Sequence, residues 1–154
     1  MEYRIENLDF ELKIVGKGHL VKTSEAFNQI PTIWSNAEKD GILQELINLS
    51  WENPKCKLES ILGICGNEAA IKDEEFNYFI GVRYEGETPN EMESITISHN
   101  TWVVFPNITE AWTRLYSEWV PTSGYELANV PCIECYYPPN HKPKNELWVP
   151  VIPK

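Results

Sequence analysis

The order of the predicted secondary-structure elements constrains the fold of this chain more than any other feature. Apolar and polar residues alternate over residues 3–21, as in a strand, and the spacing becomes helical from Ser24 onward. The apolar stripe of this helix consists of Phe27, Ile30, Trp34 and Ala37. Two further strands are predicted at about residues 58–65 and 77–84. The first half of the chain therefore has the order strand, helix, strand, strand, with a short extra helix at 42–49.

The same order returns in the second half of the chain. Residues 93–105 have the pattern of one or two strands, and Asn107 with Glu110 forms a capping box that would open a helix. The apolar stripe of this helix consists of Ile108, Trp112, Leu115 and Trp119. Residues 132–137 and 146–152 are predicted to pair as a hairpin.

This repetition predicts an α+β fold. We expect duplicated β-α-β-β units that form an antiparallel sheet with two helices on one side. The whole chain, residues 1–154, would be a single domain with pseudo-repeats at about 1–88 and 91–153. A groove where the two halves meet would suit a small ligand.

The charge balance narrows the classes of partner. Thirteen Lys and Arg oppose 23 Asp and Glu, which gives a formal net charge of −10. An acidic chain without a basic patch repels phosphate backbones, so we expect no direct binding to nucleic acid. No apolar run approaches the ~20 residues of a membrane-spanning helix, and the charged residues 1–20 do not resemble a signal peptide. These features predict a cytoplasmic protein that does not bind membranes.

The cysteines are interpreted as structural thiols. They are Cys56, Cys65, Cys132 and Cys135. The C-x-x-C of Cys132 and Cys135 lies in a predicted strand, where residues three apart point to opposite faces. The second ligand pair that a zinc site needs is missing, and redox motifs of this kind prefer a helix N-terminus. We therefore expect no metal and no cofactor.

One carboxylate stands out as a candidate site residue. Glu134 lies in the middle of an apolar segment, between Ile133 and Cys135. If the side chains of Ile133 and Cys135 face the core, that of Glu134 faces water and has no functional role. If instead Cys132, Glu134 and Tyr136 face the groove, the carboxylate is desolvated. It would then act as a counter-ion or as an acid/base catalyst.

The aromatic content suggests what such a carboxylate would bind. Six tryptophans exceed what a core of this size needs, although the helical spacing of Trp112 favours core packing for that residue. Rings around a carboxylate would form a cage for flat, cationic organic molecules. The aromatic candidates for this cage are Trp34, Tyr78, Trp102, Trp119, Tyr136 and Trp148.

Several motifs together resemble the GyrI-like effector-binding domain. This module also occurs at the C-terminus of AraC-type regulators and of multidrug-sensing MerR-type regulators. The resemblance extends over residues 2–153 and includes the fold, because that family has the duplicated β-α-β-β unit. The matching segments are Phe10–Gly16, Gln29–Trp34, Phe79–Val82, Glu118–Leu127, Pro131–Glu134 and Glu146–Val151.

The resemblance implies roles for individual residues. Glu134 takes the place of the family's pocket glutamate, which pairs with cationic ligands in multidrug sensors. Trp148 stands where an aromatic residue lines the same pocket, and Tyr136 follows on the strand face of the glutamate. Trp119 matches the family's helix tryptophan. The helix-turn-helix region of the regulators has no counterpart in this sequence, so we expect no DNA-binding region.

The function expected from these observations is that of a standalone effector-binding domain for amphipathic or cationic organic molecules, with no enzymatic activity. Two alternatives remain open at this point. One is a hydrolase in which Glu134 acts as general acid or base on an electrophilic toxin. The other is a protein-binding inhibitor of the gyrase-inhibitor type, whose acidic surface would contact a protein partner.

Overall fold

The computed structural model describes residues 2–51, 58, 60–65, 74–138 and 140–154. The strands in these ranges are β1 (Arg4–Asn7), β2 (Leu12–Lys22), β3 (Ile61–Cys65), β4 (Glu75–Arg83), β5 (Glu93–Ile97), β6 (Thr101–Pro106), β7 (Tyr125–Leu127), β8 (Cys132–Tyr136) and β9 (Asn145–Pro153). The helices are α1 (Ala26–Lys39), α2 (Ile42–Ser50), α3 (Ile108–Arg114) and the single turn α4 (Val120–Thr122). A π-helical turn, Leu115–Trp119, joins α3 to α4.

The strands form one antiparallel sheet in the order β1-β6-β9-β8-β3-β4-β2-β5, and β7 pairs with the end of β9. The predicted α+β fold with an antiparallel sheet is confirmed. At the centre of the sheet, β3 from the first half lies beside β8 from the second half. Their register places Gly63 directly opposite Glu134. The centre of the sheet is therefore the place where the two halves meet.

The principal helices pack on the same face of the sheet. Side chains of β2 and β4, among them Val15 and Ile80, form the apolar floor under α1 and α2. Side chains of β6 and β9, among them Phe105 and Val149, form the floor under α3. We call this side the helix face. None of the helices in the described ranges combines the length and the apolar character that crossing a membrane requires.

The residues of helix α1 that face the sheet differ in part from the predicted apolar stripe. The residues that pack against the sheet are Ala26, Ile30, Ile33, Trp34 and Ala37. Phe27, predicted to belong to this stripe, is 92% exposed. The prediction for Phe27 is wrong because Ala26 takes the inward position in the first turn, and the next residue of a helix points about 100° away. The short helix expected at 42–49 is confirmed as α2.

The opposite face of the sheet carries a second apolar layer. Its buried members come from strands of both halves and from two connecting residues. They include Leu8, Leu12, Leu58, Phe79, Trp102, Ile133 and Trp148. The sheet is therefore buried on both faces at its centre. This explains why β4, β6 and β9 have nearly continuous apolar sequences instead of strict alternation.

Several boundaries differ from the predictions. The extended segment 3–21 consists of the two strands β1 and β2, whereas β5 and β6 agree with the one or two strands predicted for 93–105. The strand expected at 58–65 begins at Ile61, and Leu58 before it has a left-handed φ of 62°. Strand β7 was not predicted, since three residues are too few to show a period. Cys56 lies outside the described residues.

Candidate functional site

Glu134 lies in the middle of β8 with its side chain on the helix face. It pairs with Gly63 on one neighbouring strand and with Leu147 on the other. Its neighbours Ile133 and Cys135 belong to the apolar layer of the opposite face. Because only 8% of Glu134 is exposed, the interpretation that places this carboxylate in water is wrong.

Among the described residues, two hydroxyls and one indole N–H, all neutral, donate to the Glu134 carboxylate. The hydroxyls of Tyr78 and Tyr136 donate to Oε1 at 2.8 Å and 3.1 Å. The indole Nε1–H of Trp112 donates to Oε2 at 2.9 Å. The Nε1–H of Trp34 in turn donates to the Tyr78 hydroxyl at 3.0 Å. Each half of the chain thus supplies one tryptophan from a helix and one tyrosine from a strand.

The aromatic rings also contact one another across the junction of the two halves. The ring of Trp34 lies 4.9 Å from the ring of Tyr136 in an edge-to-face arrangement and 6.4 Å from that of Tyr78. Trp112 packs against the apolar clusters of both halves. At Glu134, the expected groove between the halves is therefore occupied by the chain's own indole rings.

Glu134 has no cationic partner within the described ranges, whereas the other buried glutamate has one. Glu146 lies on the opposite face, is 2% exposed, and forms an ion pair with Arg4. Tyr137 also donates to it. Burial by itself would raise the pKa of Glu146, but the hydrogen bonds from Arg4 and Tyr137 outweigh burial, and this pKa lies below its usual value. Within the described ranges, Arg4 compensates the charge of Glu146, and no cation compensates that of Glu134.

The groups around Glu134 keep their protons at neutral pH. Burial and then the negative charge of Glu134 raise the pKa of both Tyr78 and Tyr136 above the usual value for tyrosine. The same two causes raise the pKa of the Cys65 thiol and raise that of Cys132 to about 12. The tyrosines therefore act as hydrogen-bond donors, and the thiols are neutral.

The cysteines do not form a redox or metal pair in the described part of the chain. Cys132 belongs to the helix face and Cys135 to the opposite face, so the C-x-x-C motif does not bring its two thiols together. Burial raises the pKa of Cys135 to about 12 as well. No group of three or more His, Cys, Asp or Glu side chains with metal-binding geometry occurs among the described residues.

Of the predicted aromatic candidates, Tyr78 and Tyr136 contact Glu134 directly. Trp34 joins the network through the Tyr78 hydroxyl, and the other three lie elsewhere. Trp148 pairs with Ile133, so it points to the face opposite Glu134, where it contacts the ring of Trp102. The expectation that Trp148 and Glu134 share one face is wrong, because the register pairs the glutamate with Leu147.

Trp119 is also separate from the Glu134 network. Its ring contacts those of Tyr3, Phe105 and Tyr125. These rings form an aromatic cluster beside the end of the helix that carries Trp119. Trp102 is likewise held elsewhere, since its Nε1–H donates to the carbonyl oxygen of His99.

Two residues of the network were not among the candidates. Trp112 was interpreted as a core residue, although a buried indole also needs an acceptor for its N–H. The signal that could have identified it is its place on the second helix, which corresponds to that of Trp34 on the first. Gly63 is the other, since a Cβ there would lie 2.3 Å from the Tyr78 hydroxyl.

Solved structures share this fold over nearly the whole chain. SAV2435 bound to tetraphenylphosphonium has a TM-score of 0.74 and 22% sequence identity, covering 99% of this chain and 94% of that one. A protein from Staphylococcus aureus MU50, described as concerned with transcription regulation, has a TM-score of 0.71 and 21% identity, covering 98% of both chains. EcmrR in a complex with DNA has a TM-score of 0.55 and 16% identity, covering 99% of this chain and 58% of that one.

Sequence comparison identifies the family. No curated protein matches the chain. The model of the GyrI-like small molecule binding domain matches residues 1–152. Since this match includes every element of the fold and the Glu134 network, the chain belongs to the family of GyrI-like small-molecule binding domains.

Proposed function

We propose that this GyrI-like domain binds lipophilic organic cations and that Glu134 is the residue that recognises their charge. The observation that carries the proposal is a buried carboxylate that has three neutral hydrogen-bond donors and no cation among the described residues. A buried charge is costly unless an opposite charge accompanies it. A cationic ligand would supply that charge.

The surroundings of Glu134 favour a cation with apolar substituents. Trp34, Trp112, Tyr78 and Tyr136 present aromatic rings, which attract cations through the negative faces of their π systems. At longer range, the net charge of −10 favours the approach of cations over that of anions. The ligand bound to SAV2435, tetraphenylphosphonium, has this chemistry and is therefore a suitable probe for the present chain.

The first prediction is that Glu134→Gln weakens the binding of tetraphenylphosphonium by about ten- to a hundredfold. A charge-assisted contact in a desolvated site contributes roughly 1.5–3 kcal/mol, and the amide keeps the shape of the side chain without its charge. Isothermal titration calorimetry of the folded variants measures the loss. Triphenylphosphine oxide, a neutral molecule with similar rings, should lose little affinity in the same variant.

The chain offers a matched control. Glu146→Gln removes the other buried carboxylate, which lies on the opposite face, and should leave the affinity for tetraphenylphosphonium unchanged. Equal losses for the cation and the neutral molecule in Glu134→Gln would indicate a packing role. Unchanged binding of the cation would contradict the proposal.

A further inference from the structure

We propose that the indole N–H of Trp112 competes with the ligand's positive charge for Glu134, so that Trp112 limits the affinity of the site. This inference rests on the proposed function, because it concerns the same carboxylate. Trp112 thereby acts as an intramolecular competitor in addition to contributing a ring to the junction of the two halves.

Within the described ranges, the contacts of the carboxylate favour the approach of a ligand to Oε2, on the side where Trp112 lies. Oε1 accepts from two tyrosines, and a Cβ at Gly63 would lie only 3.1 Å from it, so the sheet closes that side. Of the tyrosine and tryptophan donors described above, only Trp112 donates to Oε2. A cation that approaches from the helix face therefore meets Oε2 where the indole N–H now lies.

The three donors are not held equally. Tyr78 is fully buried on β4, and the Nε1–H of Trp34 donates to its hydroxyl. Tyr136 extends from the same strand as Glu134 and packs against the ring of Trp34. Trp112 is half-buried and lies in the last turn of α3, two residues before its end. It is the donor that a ligand can displace at the lowest cost.

The backbone that follows Trp112 is irregular. Residues Leu115–Trp119 form a π-helical turn, which interrupts the regular hydrogen bonding of the helix. Such turns occur mostly as single interruptions of α-helices, frequently at functional sites. The π-helical turn begins three residues after Trp112, so the backbone next to the residue that the ligand would displace is not a regular α-helix.

If the ligand displaces this hydrogen bond, a variant without the N–H should bind the cation more tightly. Trp112→Phe keeps an aromatic ring but removes the donor, and we expect it to bind tetraphenylphosphonium about tenfold more tightly than the parent, which is the size expected for one hydrogen bond to a charged group. Calorimetry is the method of choice, because these substitutions remove tryptophan fluorescence.

Trp102→Phe is the matched control. It loses the same ring area and one indole N–H, but Trp102 lies on the opposite face and its N–H donates to the carbonyl oxygen of His99. We expect its affinity to stay within about twofold of the parent. In the double variant Trp112→Phe, Glu134→Gln, the gain should disappear, since no carboxylate is left to be released.

The outcomes separate this inference from the proposed function. If the parent binds the cation through Glu134 but Trp112→Phe binds no more tightly than Trp102→Phe, only the competitor role of Trp112 is overturned. If neither the parent nor Trp112→Phe binds the cation, both proposals fail. Should Trp112→Phe not fold, Trp112→3-benzothienylalanine keeps the bicyclic ring and lacks the N–H, and the same comparison decides.

Discussion

At the scale of single residues, the two buried glutamates differ in whether a cation accompanies the carboxylate in the described part of the chain. Glu146 is held by Arg4 and Tyr137, so its charge already contributes to the stability of the fold. The donors that the described residues supply to Glu134 are neutral, and they orient the carboxylate without neutralising it. Burial is similar for both, and the nearest cation makes the difference.

Gly63 provides a test of how tightly the network around Glu134 is packed. A Cβ at this position would lie 2.3 Å from the Tyr78 hydroxyl and 3.1 Å from Oε1 of Glu134. We expect Gly63→Ala to displace the tyrosine and to destabilise the fold by about 1–3 kcal/mol, the usual cost of overpacking. Urea unfolding measures this loss.

Gly124 serves as the control for this substitution. An added Cβ there meets no atom within 4 Å, so Gly124→Ala should change the free energy of unfolding by less than ~0.5 kcal/mol. If Gly63→Ala is as stable as Gly124→Ala, the network around Glu134 accommodates the added methyl group and is not tightly packed at Gly63.

At the scale of elements, helix α3 positions Trp112, and its first turn depends on Asn107. The Asn107 side chain accepts from the backbone N–H of Glu110 at 3.1 Å, as the capping box predicts. Asn107 also has a left-handed φ of 72°. The Asn145 side chain accepts from the N–H of Ile108, which ties the start of α3 to β9.

We therefore expect Asn107→Ala to be destabilised by about 1–2 kcal/mol, because it loses the cap and disfavours positive φ. Asn107→Gly should lose less, since glycine accepts this backbone conformation and is a tolerated cap residue. Thermal melts of the two variants give the order. An alanine variant as stable as the glycine variant would contradict the role of φ in the stability of this turn.

At the scale of the whole molecule, apolar side chains cover both faces of the sheet at its centre. Cys65 and Cys132 lie on the helix face, Cys135 lies on the opposite face, and all three are buried free thiols. For Cys132 and Cys135 the pKa is raised to about 12, so the reactive thiolate is scarce at pH 8.

These thiols should therefore report on opening of the whole sheet. We expect a Cys56→Ser variant to show almost no reaction with a disulfide reagent at pH 8 while folded, and three reacting thiols in denaturing urea. Absorbance of the released thiolate gives both values. One thiol that reacts within seconds in the folded protein would show that part of the sheet opens independently.

The sequence by itself determined the kind and order of most elements, because strand and helix periods are local properties of the chain. It also identified Glu134, since a carboxylate inside an apolar strand is unusual wherever that strand lies. Trp34, Tyr78 and Tyr136 were among its aromatic candidates as well.

The tertiary structure alone decided which rings meet the carboxylate. Strand register has a period of two, so pairing Glu134 with Leu147 instead of Trp148 moves that tryptophan to the opposite face. The register depends on hydrogen bonds between distant strands and on loops, and Tyr78 and Trp112 reach Glu134 only because β4 and α3 fold against the centre of the sheet. Local patterns contain no information about these distances, which is why the candidate residue was predictable and its partners were only partly so.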